Sequence, residues 1–240
     1  LHVVVAYGQI MPGPVIDLPP WRSLNVHFSL LPKYRGASPV AWAILSGESG
    51  TGITIFRLNE RLDEGDILSS IEAPIRPDDT TGSLEARLAV LGAELLVETV
   101  ERIETIVPLA QNHALATLAP KLKKEFGMVD WTRDAAAIDR HVRAMNPWPT
   151  AYAFRRAERL ILLEGTALAH QSGRSGGDGQ AAPGTILEAG KAGLRILCGG
   201  RSEYVVTRVQ PEGRNPMPAA AFAAGGRIAA GEVLTAFPHS

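Results

Sequence analysis

Apolar and polar positions along the chain fall into blocks whose period changes. Val3-Val4-Val5-Ala6 is wholly apolar, the composition of a strand covered on both faces inside a parallel sheet. Leu24-Asn25-Val26-His27-Phe28 reads as a second short strand, stopped by Pro32. Ser38-Pro39 then opens a helix through Leu45, with Ser38 at the N-cap, Pro39 at the first helical position, and Gly47 and Gly50 ending it. Residues 53–58 and 67–71 predict strands on either side of a polar loop that holds Asp63, Gly65 and Asp66. Leu84, Leu88, Leu91, Leu95, Leu96 and Val100 recur at helical spacing and predict an amphipathic helix over about 82–104. Such alternation predicts an α/β domain of sheet and helix layers.

The second half has a different rhythm. Residues 108–125 lack periodicity and read as a linker, closing on the basic run Lys121-Leu122-Lys123-Lys124. Ala137, Ile138, His141, Val142 and Met145 share one face of a shorter helix that Asn146-Pro147-Trp148-Pro149 stops. Short apolar runs at 159–163, 184–187, 194–197 and 204–207 predict a small β-barrel. The Gly/Ser-rich stretch 172–179 between them reads as a flexible surface loop. The expected division is therefore a first domain at 1–107, a linker at 108–125 and a second domain at 126–240.

Charge sharpens that division. The net charge of −1 conceals eight Lys and Arg against fourteen Asp and Glu in residues 1–107, and sixteen against eleven in residues 108–240. A basic second half can meet a polyanion, although scattered surface charge gives the same count. Cys198 is the single cysteine, which excludes an intrachain disulfide and a cysteine metal cluster. The histidines show no metal-ligand spacing, so no metal is expected. No apolar run approaches the roughly 20 residues of a membrane span, and no signal-peptide pattern opens the chain. The expectation is a cytoplasmic protein with no membrane contact and no obligate protein partner.

Asn25 and His27 are two apart on a strand, so both side chains leave one face. In open α/β sheets the ligand crevice lies beyond the carboxyl ends of the strands. Asp63, in its glycine-containing loop, can fold over that same edge. An amide donor, an imidazole and a carboxylate together suit acyl transfer: the amide stabilises an oxyanion, the imidazole moves a proton and the carboxylate supports its charge. Taken alone, an Asn-x-His pair is more often a structural hydrogen-bonded pair, and Asp63 reads equally as a turn residue.

The run from Asn25 to Pro39, with Leu62-Asp63-Glu64-Gly65-Asp66 after it, resembles the signature of the 10-formyltetrahydrofolate-dependent formyltransferases. The resemblance implies Asn25, His27 and Asp63 as catalytic residues, with a protonated His27 beside Asn25 at the oxyanion. It implies 10-formyltetrahydrofolate as co-substrate, held by Gln9, Ile10 and Met11 and by Ser29, Leu30, Leu31 and Pro32. Arg35 and Gly36 fit a structural role as well as a ligand contact. Lys121–Glu125, Val129-Asp130-Trp131, Arg143–Pro149, Ala182–Leu187 and Asn215–Ala219 resemble the junction and C-terminal domain of the methionyl-tRNA branch of that family. That implies methionyl-initiator tRNA as partner. The implied fold is a Rossmann-like formyltransferase sheet followed by a small OB-like (oligonucleotide/oligosaccharide-binding-like) barrel.

Two departures stand out. Phe28 occupies a position where the family usually has Gly or Ala. The family's first strands and the insertion loop that grips the acceptor arm have no counterpart, so the catalytic sheet is expected to be N-terminally incomplete and the chain a poor enzyme alone. The in-family rival is an amino-sugar nucleotide formyltransferase. The rival from another class is an inert folate- or RNA-binding fragment.

Overall fold

The computed structural model describes residues 1–5, 11–168, 181–226 and 228–238. Gln9, Ile10 and the run 172–179 lie outside them. The chain divides into two compact units, Leu1–Leu122 and Lys123–Ser240.

The first unit contains β1 (His2–Val4), α1 (Gly13–Ile16), β2 (Ser23–His27), α2 (Pro39–Ser46), β3 (Gly50–Arg57), β4 (Ile67–Pro74) and α3 (Thr81–Glu101). Its sheet runs β1-β2-β3-β4, with β1 parallel to β2 and the other pairs antiparallel. β3 is the central strand, buried at every position from Thr51 to Phe56. α2 and α3 pack against it, which gives the expected α/β layering. Thr80 caps α3, its side chain accepting from the Ser83 N–H while the Ser83 hydroxyl accepts from the Thr80 N–H. The buried stripe of α3 includes Leu84, Leu88, Gly92 and Thr99. A Cβ on Gly92 would lie 3.2 Å from Val26 Cγ1, so the glycine lets the helix settle close to the sheet.

Two expectations change here. Among the described residues β1 pairs with β2 alone, and Val3 and Val5 are 45% and 53% exposed, so it stands at the edge of this sheet and is not covered on both faces. A valine run satisfies strand propensity whether or not anything covers it. The stretch read as a linker is also ordered against the first unit as far as Leu122. Leu109 exchanges both backbone hydrogen bonds with Ile67, and Arg35 does so with Thr117 and Ala119. Ser38 stands at the N-cap of α2, yet its side chain makes no capping bond; its Oγ instead accepts from the Leu122 N–H at 3.3 Å.

The second unit contains α4 (Ala135–Ala144), β5 (Ala151–Arg155), β6 (Glu158–Ala167), β7 (Ile186–Gly190), β8 (Gly193–Leu197), β9 (Glu203–Pro211), β10 (Met217–Pro218), α5 (Ala219–Gly226) and β11 (Leu234–Thr235). The strands follow the order β11-β5-β6-β9-β8-β7, with β10 beside β9. A bridge between Thr185 and Val233 joins the two ends of that path and curls the antiparallel sheet back on itself. Leu160, Leu162, Ile196, Tyr204 and Val206 are buried inside it. β5 escaped the sequence reading because its buried positions are alanines, Ala151 and Ala153, which mark apolar alternation weakly.

Candidate active site

β2 delivers Asn25 and His27 through its ladder. Asn25 pairs with Val4 on one side and Phe56 on the other, while His27 pairs with Thr54. The His27 ring is 6% exposed, with the Phe56 ring edge-on at 6.4 Å between centroids. His27 Nε2 lies 2.9 Å from the Tyr34 carbonyl oxygen. A carbonyl only accepts, so Nε2 carries the hydrogen and Nδ1 is the atom that titrates. Burial lowers the His27 pKa below the usual imidazole value, and the opposing pull of Asp63 and of the Tyr34 carbonyl does not overcome it. Burial thus favours the neutral ring, whereas the sequence resemblance implied a protonated one.

Asp63 reaches the site from a loop. Its backbone is left-handed, with φ of 51°, a region that Asp tolerates better than most residues. Its Oδ2 accepts from the Gly36 N–H at 2.7 Å and stands 3.8 Å from His27 Nδ1. That separation is too long for a hydrogen bond, yet short enough for the two charges to couple. Gly36 has φ of 125°, and a Cβ there would lie 2.5 Å from the Ala119 carbonyl oxygen, so glycine alone suits the position.

Asn25, His27 and Asp63 line one cavity of about 520 Å³, together with Met11 and apolar side chains such as Val4, Val5 and Ile16. The Asn25 side chain has no hydrogen-bond partner among the described residues. Phe28 also lines this cavity.

The four residues Ser29, Leu30, Leu31 and Pro32, expected to contact a co-substrate, are not among the cavity's lining residues. They form a clamped turn. The Thr54 hydroxyl donates to the Ser29 carbonyl at 2.7 Å and accepts from the Leu31 N–H at 3.1 Å. The Ser29 hydroxyl donates to the Lys33 carbonyl at 2.6 Å. Leu30 closes over Gly52, where a Cβ would come within 2.5 Å of its Cδ2. This turn lets the chain leave β2 and present Tyr34 and Gly36 to His27 and Asp63.

A family model described as Formyl transferase matches residues 1–100, and one described as Formyl transferase, C-terminal domain, matches residues 121–227. A methionyl-tRNA formyltransferase of Citrifermentans bemidjiense is 43% identical over 236 residues, 98% of this chain and 71% of that protein. Another, from Solibacter usitatus, is 44% identical over 97% of this chain and 72% of its own length. The chain belongs to the methionyl-tRNA formyltransferase family. HypX from Aquifex aeolicus, solved in complex with tetrahydrofolic acid, shares the fold, with a TM-score of 0.61 and 22% identity over 84% of this chain and 34% of that one.

The two formyltransferase models leave residues 101–120 unmatched, and this stretch supplies a residue that sequence reasoning missed. Gln111 is 6% exposed. Its Nε2 donates to the carbonyls of Asp63 and Gly65, and its Oε1 accepts from Arg35 Nε and Nη2. Arg35, itself buried, also pairs with Glu64 at 3.2 Å, which places it in the structural scaffold of the loop. A lone glutamine in an aperiodic stretch carries no sequence signal for such a role. Among the described residues no cluster of His, Cys, Asp or Glu is placed to hold a metal ion, and no helix is long and apolar enough to cross a membrane.

Proposed function

We propose that this chain transfers the formyl group of 10-formyltetrahydrofolate to the α-amine of methionyl-initiator tRNA. One observation carries the reading beyond family membership: Asn25 and the His27–Asp63 pair, 3.8 Å apart, share the wall of one largely apolar cavity. Such a cavity suits a flat pterin, and its few polar groups suit an acyl centre.

Neutral His27 takes a proton at Nδ1 from the amine as the amine nitrogen attacks the formyl carbon. Asn25 donates to the formyl oxygen as it gains negative charge. Asp63, 3.8 Å from Nδ1, stabilises the imidazolium that forms. The bond from the formyl carbon to N10 then breaks, N10 receives a proton from His27, and tetrahydrofolate and N-formylmethionyl-tRNA depart. His27 returns to its neutral form, so proton and charge balance over the cycle.

In this reading residues 1–122 carry the chemistry and residues 123–240 meet the tRNA. The sixteen Lys and Arg after residue 107 suit phosphate contacts, so tRNA affinity should weaken steeply as salt rises. The deciding experiment follows label from 10-formyltetrahydrofolate into methionyl-initiator tRNA with the purified protein. Label in the N-formyl group is expected. Transfer to an amino-sugar nucleotide with none to the tRNA would overturn the assignment.

A further inference from the structure

We propose that Gln111 is a positioning residue for the His27–Asp63 pair, delivered to the site by the segment between the two formyltransferase matches. The inference rests on the formyl-transfer reading for its kinetic consequences, though not for its geometry.

The Gln111 amide is fully used. Nε2 donates to the Asp63 carbonyl at 2.9 Å and the Gly65 carbonyl at 2.7 Å, while Oε1 accepts from Arg35 Nε at 3.1 Å and Nη2 at 2.6 Å. Two N–H donors and two acceptor lone pairs exhaust what a glutamine side chain offers. One of these bonds falls on the main chain of Asp63, the residue whose carboxylate faces His27, and a second on Gly65 in the same loop. Asp63 is in a left-handed conformation, and such residues persist where their surroundings hold them. Gly36 holds the side chain of Asp63, and Gln111 holds its main chain.

The same segment fastens both flanks of the site. On one side Leu109 exchanges hydrogen bonds of 2.8 Å with Ile67, just beyond the Asp63 loop. On the other, the Arg35 N–H donates to the Thr117 carbonyl at 2.8 Å, and the Ala119 N–H donates to the Arg35 carbonyl at 2.7 Å. Arg35 lies between Tyr34, whose carbonyl accepts from His27, and Gly36, whose N–H donates to Asp63. Thr117 Oγ1 accepts from the Tyr34 N–H at 2.8 Å. One stretch of chain thus sets the partner of each His27 nitrogen: Thr117 anchors Tyr34 against Nε2, and Gln111 anchors Asp63 against Nδ1. A residue serving only stability has no reason to touch the titration of His27. Asp63 and the Tyr34 carbonyl both raise the His27 pKa, so loosening either lowers it.

The test compares the wild type with Gln111→Met, which keeps volume and charge but removes every hydrogen bond, and with the milder Thr117→Val. His27 is titrated by NMR at its ring Cε1–H, and kcat and KM are measured for formylation of methionyl-tRNA. In Gln111→Met the His27 midpoint is expected to fall, by less than in Asp63→Asn. Its kcat should drop at least about tenfold with KM changed by no more than about threefold. Thr117→Val should move the midpoint the same way by less, through Tyr34, and Gln111→Asn, which keeps the amide but shortens its reach to Asp63, decides the matter if Gln111→Met does not fold. A folded Gln111→Met with the wild-type midpoint, or an unmoved Gln111→Asn where that variant must decide, overturns the proposal. Absence of formylation by the wild type would sink the functional reading alone, since the titration needs no turnover.

Discussion

His27 and Asp63 face each other across 3.8 Å, yet the chain places them by opposite means. His27 rides on β2, where the backbone ladder to Thr54 sets its position and alternation sets its face. Asp63 rides on a loop in a left-handed conformation, held by Gly36 and by Gln111, the latter 48 residues further along the chain. A strand site is fixed by main-chain bonds that any side chain leaves intact. A loop site depends on particular distant side chains, and a single substitution can move it.

The sharpest way to probe the contrast is to remove chemistry from the strand. His27→Ala should lower kcat by at least about 10²-fold, since a positioned acid or base contributes 10²–10⁴. The fold should survive, because the β2 main-chain bonds remain. Near-normal turnover in a folded variant would take His27 out of the mechanism. Asp63→Asn comes next, with kcat down at least about tenfold, because a base of lower pKa accepts protons less readily. The sign of its pH effect follows from the neutral ring. Turnover requires unprotonated Nδ1, so kcat falls as pH drops through the His27 pKa, which burial already holds below the ordinary value. Removing the Asp63 charge lowers it further and moves the acid limb to lower pH. An acid limb that stays put or moves upward would show that Asp63 does not act through His27.

Gly36→Ala attacks the loop side without touching a reacting group. The position has φ of 125°, and the new Cβ would meet the Ala119 carbonyl at 2.5 Å. The cost should be about 1–3 kcal/mol of stability, read as a lower Tm. A several-fold loss of kcat should accompany it, because the donor that orients Asp63 must shift. Unchanged stability and rate would mean that the loop is not held as tightly as its contacts imply.

What could be read from the sequence divides along the same line. Asn25 and His27 were legible because a period of two assigns a face without reference to any other part of the chain. The proposed catalytic set was recognisable because Asn25–Pro39 and Leu62–Asp66 are local motifs. Gln111 was invisible, since its partners are the Asp63 and Gly65 carbonyls and Arg35, none of which leaves a pattern around residue 111. The aperiodicity that suggested a linker at 108–125 is what an extended segment bonded to two separate loops looks like. The downward shift of the His27 pKa was equally out of reach, because it depends on burial in the folded structure. Ser29–Pro32 was expected from the motif to contact the co-substrate, and the structure shows it as a turn clamped by Thr54 beside the cavity lined by Asn25, His27 and Asp63.

That turn supports the smallest effect on catalysis and the cleanest separation of stability from binding. Thr54 is fully buried, and its hydroxyl bridges the Ser29 carbonyl and the Leu31 N–H. Thr54→Val preserves shape and strand propensity while leaving both backbone groups unpaired in the interior. Each unsatisfied group costs about 1–3 kcal/mol, so Tm should fall clearly. If residues 29–32 serve as a clamp behind the site, KM for 10-formyltetrahydrofolate should stay within about twofold and kcat should hold nearly constant for the folded fraction. Should the turn instead contact the co-substrate directly, its displacement would raise KM about tenfold or more, as expected when uniform binding is lost. A variant with normal stability and a raised KM would return Ser29, Leu30, Leu31 and Pro32 to the binding surface. It would also make the strand end, rather than the loop, the more adaptable side of the site.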